Sequence, residues 1–116
     1  MADRTHPPIE SLAPVPDVEP GSFCVIYEMV LTEAELVRLA VHLEGGDRLV
    51  RGARSVAARL DDGRRWTIAL GPERSRSIAL LRLPLADAEI RLEGFDATGI
   101  AAFLDRFHRV FRKGGG

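Results

Sequence analysis

The residues best equipped for chemistry in this chain are His108, His42, Cys24 and a concentrated set of arginines. His108 has Asp105 three residues before it and Arg112 four after. On a helix, that spacing lets a carboxylate hold an imidazole in one tautomer, which is one element of acid–base catalysis. No third partner accompanies the pair. His42 lies near Glu44. A zinc site needs three or four ligands, and the chain offers only Cys24, His42, His108 and scattered acids. Surface ion pairing accounts for both histidines, so no metal and no cofactor are expected. Cys24 has no neighbouring histidine in sequence and no nearby helix N-terminus, the settings that activate a thiol. It reads as a buried structural thiol. No serine lies in a G-x-S-x-G elbow, and Gly45-Gly46-Asp47 is too short for a phosphate loop. No catalytic residue is assigned, and the inventory leans away from an enzyme.

The arginines are the stronger signal. Nine fall between Arg48 and Arg82, against the acids Asp61, Asp62 and Glu73, whereas the first 47 residues carry nine acids against Arg4 and Arg38. A net charge of -1 therefore hides two segments of opposite sign. A local excess of guanidinium groups attracts anions. The candidate anion- or partner-binding set is Arg51, Arg54, Arg59, Arg65, Arg74 and Arg76. There is no Asn and no Gln, and Lys113 is the only lysine. That removes the usual bidentate readers of adenine and any lysine nucleophile within the folded body.

At 116 residues the chain suits one domain. No stretch approaches the roughly 20 apolar residues that cross a bilayer, and the N-terminus has no apolar signal region. With one cysteine and no disulfide partner, a reducing, cytoplasmic location is the expectation. Residues 1–22 hold five of the seven prolines and read as an extended tail. A single domain is expected over 23–113, followed by a glycine tail over 114–116.

Within that domain, Phe23 to Leu31 is a nearly continuous apolar run, the pattern of a strand covered on both faces. Thr32-Glu33-Ala34-Glu35 predicts a capping box and a helix to about Leu43, with Leu36, Leu39, Ala40 and Leu43 buried and Val37 and Val41 widening the stripe. A short extra strand near Leu49-Val50 is left open. Residues 54–62 and 64–70 predict a hairpin around Asp61-Asp62-Gly63, a three-residue loop with glycine in the left-handed position. That register sets Val56 against Ile68, Ala58 against Trp66 and Arg59 against Arg65, and sends Trp66 inward. Gly71-Pro72-Glu73-Arg74 predicts a type I turn, then a strand from Arg76 to Leu83 ended by Pro84, and a further strand over 88–93. Asp96 caps a last helix to about Arg112, with Ile100, Phe103, Leu104, Phe107 and Phe111 on its buried face.

The order β-α-β-β-β-β-α, with one strand uncertain, defines an α+β two-layer sandwich. It has a mainly antiparallel sheet of about five strands and two helices on one face. The other face would then carry small and apolar residues, among them Ala57, Thr67, Ala69, Ala79 and Leu81, a surface suited to burial against a second copy. It lacks the aromatic platform on which single-stranded nucleic acids stack. Three readings follow. The first is a non-enzymatic binding module that self-associates through this face. The second is a sequence-nonspecific binder of nucleic acid, polyanion or an acidic protein through the arginines. The third is a small enzyme or ligand carrier with a pocket between sheet and helices, using His108 with Asp105, or Cys24.

Overall fold

The computed structural model describes residues 21–115, so most of the expected proline-rich tail lies outside the described residues. The elements are β1 (Ser22–Val30), α1 (Glu33–Ala40), β2 (Val50–Gly52), β3 (Ser55–Arg59), β4 (Arg65–Leu70), β5 (Arg74–Ile78), β6 (Leu81–Glu93) and α2 (Ala97–Gly115). They form one antiparallel sheet in the order β1-β6-β4-β3-β2, with β5 also paired to β6. This is the expected α+β arrangement with the short extra strand present. No helix among the described residues is long and apolar enough to cross a membrane.

Local chemistry explains most boundaries. The Thr32 hydroxyl accepts the amide of Glu35 at 3.2 Å, and the Glu35 carboxylate accepts the amide of Thr32 at 3.0 Å. Helix α1 is shorter than expected. After Ala40 the chain tightens, with His42 and Leu43 donating to Leu39 and Ala40 three residues back. Leu43 stays buried, but Val41 is turned into solvent. At the β3–β4 hairpin, Leu60 donates to Arg64 at 2.7 Å, Gly63 donates to Leu60 at 3.0 Å, and Gly63 has φ +92°. The three-residue bulged loop therefore forms, and Val56–Ile68, Ala58–Trp66 and Arg59–Arg65 face one another.

The core lies between the sheet and both helices. Trp66, Ile68, Ile90 and Leu92 from the sheet meet Leu36, Phe103, Phe107 and Phe111 from the helices, all fully buried. Each such side chain contributes about 1.5–3 kcal/mol by leaving water.

The segment after Leu70 departs from expectation. β4 and β5 run on as one line against β6. Leu70 faces Ala88 and Arg74 faces Leu85, so Gly71, Pro72 and Glu73 oppose only Ala86 and Asp87. What read as a turn is a β-bulge, a place that tolerates a proline. The reversal comes later, at Ala79-Leu80, with Ala79 at φ +55°. Pro84 does not end a strand either. β6 continues through it, because the Pro84 carbonyl faces β1 and accepts from Leu31 at 3.1 Å. The reciprocal bond would need an amide that proline lacks, and the ladder with β1 stops there.

Candidate partner-binding surface

The six arginines singled out by type do not converge. By strand alternation Arg59, Arg65, Arg74 and Arg76 lie on the helix-free side of the sheet. Arg65 and Arg74 are separated by the stretch of β6 from Glu93 to Leu85, eight residues or about 26 Å of strand. Arg51 lies toward the helix side, 4.0 Å from Glu33. Arg54 occupies the β2–β3 turn at φ +53°, and its guanidinium donates to the Gly71 carbonyl at 2.6 Å.

Most of these charges already have partners. Arg65 donates through Nε to Glu93 at 3.0 Å. Arg74 bridges Glu28 at 2.6 Å and Asp87 at 3.3 Å. Arg64, outside the candidate set, binds Glu44 and Asp62 and stacks over Phe95. The acids of the first segment thus neutralise the arginines of the second: Glu28 with Arg74, Glu33 with Arg51, Glu44 with Arg64. No ion pair engages Arg59 or Arg76 among the described residues. The facing Arg59–Arg65 pair is relieved by Glu93 on the next strand rather than held open for an anion.

The catalytic candidates are likewise dispersed. Asp105 pairs with Arg109. The His108 ring packs edge-on against Tyr27 at 4.7 Å and Phe107 at 5.3 Å, on the helix side of the sheet. Cys24 points to the opposite side of β1, where it is buried and contacts Glu89 at 3.5 Å. Burial first, and then the Glu89 carboxylate, raise the pKa of this thiol, while Arg91 opposes them. Cys24 and His108 cannot act on one substrate across the sheet. No group of three metal-ligating side chains occurs among the described residues.

The apolar exposure is gathered at the β5–β6 turn, with Ile26 and Val50 apart on the two opposite edge strands. Among the described residues the exposed large hydrophobic ones are Ile26 (50%), Val50 (68%), Ile78 (48%), Leu80 (100%), Leu81 (63%) and Val41 just after α1. Ile26, Val50, Ile78 and Leu81 all fall on the helix-free side, and Leu80 caps the β5–β6 turn. Ala57, Thr67 and Ala69 line the middle of that side, half-buried. Ala79 and Leu81 do not join them. They sit at the end of the β5–β6 hairpin, which projects past the ends of β1 and β4 and is exposed along β5 and its turn. Sequence reasoning missed Ile26, Val50, Ile78 and Leu80. The clue for Ile26 was its alternate position in an apolar run that would suit a strand covered on both faces, whereas among the described residues both helices lie on the other side of β1 and Ile26 is half exposed. β6 also inserts Glu89, Arg91 and Glu93 into the middle of the surface, so it is less apolar than expected.

No protein-family model, no curated protein and no solved structure matches the chain.

Proposed function

We propose that this protein is a small interaction module that works by protein–protein contact, self-associating through the helix-free side of its sheet and the projecting β5–β6 arm. One observation carries the reading: the exposed Ile78 and Leu81 face one another on one side of the arm, and the fully exposed Leu80 caps its turn. An apolar surface organised in this way is a liability for a monomer and a contact for an oligomer. A two-stranded hairpin is also marginally stable alone in water, so a projecting arm gains from being covered. The dispersed histidines and cysteine support the same reading over a catalytic one, and the internal pairing of the arginines supports it over a polyanion binder.

Sedimentation velocity across the micromolar range tests the proposal. The expected result is a monomer–dimer equilibrium that Leu80→Asp with Leu81→Asp shifts to monomer, with thermal unfolding matching that of the wild type diluted until it dissociates. A wild-type chain that stays monomeric throughout the range would refute it.

A further inference from the structure

The arm has two lateral edges of different character. Along β6, beyond the end of β1, Pro84 removes an amide and blunts the edge. Along β5 nothing comparable is present. Gly71 donates to the Asp87 carbonyl at 2.9 Å, so odd-numbered β6 residues direct their backbone groups toward β4 and β5. Leu81, Leu83 and Leu85 therefore bond to Ile78, Arg76 and Arg74, and Ser75 and Ser77 turn their amides and carbonyls outward. Among the described residues no strand pairs with that side of β5.

We infer that a second copy of this chain docks there, β5 against β5, antiparallel, about a two-fold axis at Ser77. The inference rests on the self-association reading and supplies its geometry. The lane beside β5 continues the line of β3, which leaves it at the Ala53-Arg54 turn. That turn stands level with Leu70, whose amide donates to the Arg54 carbonyl at 2.8 Å. An arm entering the lane tip first must stop short of this turn.

Charge and space select the same register. An axis at Ser75 sets Arg74 against Arg76 and drives the incoming Ala79-Leu80 tip onto the Ala53-Arg54 turn. An axis at Arg76 sets that arginine against its own copy, and directly facing like charges are unfavourable. An axis at Ser77 sets Arg76 against Ile78 and Arg74 against Leu80, and the tip halts beside Arg74 and Ser75, clear of the turn. The Ser77 amide and carbonyl of each copy then bond reciprocally. The alkyl stem of Arg76, which has no ion pair among the described residues, lies over Ile78 of the other copy. Two marginal hairpins become a four-stranded sheet, joined by an isologous contact that closes on itself.

Disulfide trapping tests the geometry. Ser77→Cys and Ser75→Cys are made separately and oxidised at micromolar concentration beside sedimentation of the wild type. Cys24 is buried and stays out of the reaction. Facing residues of a hydrogen-bonded pair lie within disulfide reach, whereas the two copies of residue 75 lie beyond it, so Ser77→Cys should cross-link roughly tenfold faster or more. Ser77→Pro removes the outward amide without touching the bonds to β6. It should convert dimer to monomer, with the melting temperature of the wild type diluted until it dissociates. Equal cross-linking at both positions, or a dimer that survives Ser77→Pro, overturns the edge geometry and leaves self-association standing. A monomeric wild type overturns both.

Discussion

The indole N–H of Trp66 donates to the carbonyl oxygen of Glu44 at 2.7 Å, joining the centre of the sheet to the turn that follows α1. Trp66 has no exposed surface and packs against Phe103 at 5.5 Å between ring centroids. Trp66→Phe keeps an aromatic ring but leaves a small cavity and removes the donor from a part-buried carbonyl. The expected loss is about 2 kcal/mol, seen as a lower urea midpoint by circular dichroism with an unchanged slope. A midpoint equal to wild type would mean that the contact contributes nothing.

That inward tryptophan was legible in advance because one residue determines it. Gly63 sits at φ +92°, a region that favours glycine, and a one-residue slip of the hairpin would have turned every β4 side chain over. The capping box at Thr32 and the Asp96 cap, which accepts the Gly99 amide at 2.8 Å, were legible for the same reason: short-range hydrogen bonds leave a short-range signature. The arm was not legible. Its reversal uses Ala79 and Leu80, neither a turn-forming type, and Ala79 takes a backbone conformation that an L-residue adopts at a cost. Pro72 and Pro84 pointed to breaks where the chain instead made a bulge and an end of pairing. Strand order was hidden as well, and without it nothing said that β6 would set Glu89 and Glu93 beside Arg91 and Arg65.

Glycine positions separate packing from backbone effects. A Cβ at Gly46 would sit 2.7 Å from the Ala40 carbonyl oxygen and closer still to that of Val41, both immobile backbone atoms. At Gly63 it would meet nothing within 4 Å, and only the left-handed backbone opposes substitution. Gly63→Ala should therefore cost about 1 kcal/mol, and Gly46→Ala more, about 2–3 kcal/mol, because the turn after α1 must move. Chemical denaturation of both variants checks the order, and a reversed order would be incompatible with this packing.

Cys24 should be inert in the folded protein. It is buried, its pKa is raised, and the carboxylate beside it disfavours the thiolate. An aromatic disulfide reagent near neutral pH should label the native chain only at its rate of opening, and the urea-unfolded chain at once. Rapid labelling of the native chain would mean that the helix-free side is open at β1.

Tyr27 offers a pH test with a defined sign. Its hydroxyl is buried with no hydrogen-bond partner among the described residues, and burial pushes its pKa from 10.0 up to about 12. The folded state thus favours the neutral phenol. Below pH 10 both states hold the proton and the stability is fully present. Above it the unfolded chain ionises first, so stability falls as pH rises from 10.0 through about 12. Tyr27 is the only tyrosine, so tyrosinate absorbance reports it directly. Native ionisation near 10 would show that the ring is solvated.

The arginine-rich stretch should not make this protein a nucleic-acid binder. Salt-sensitive binding to phosphates grows with the number of cations free to replace counterions. Arg51, Arg65 and Arg74 are engaged by Glu33, Glu93, Glu28 and Asp87, and Arg54 by a backbone carbonyl. Among the described residues, two of the six candidates, Arg59 and Arg76, carry no ion pair, and they lie one near each end of β6, too far apart to clamp one phosphate group. No gel shift is expected with single- or double-stranded oligonucleotides at about 50 mM salt, where such contacts are strong. Glu93→Gln with Glu28→Gln and Asp87→Asn, which together release Arg65 and Arg74, should raise the affinity and make it salt-dependent. Binding by the wild-type chain that fades with added salt would show that the carboxylates yield to phosphate, and that the internal pairs are weaker than their short distances imply.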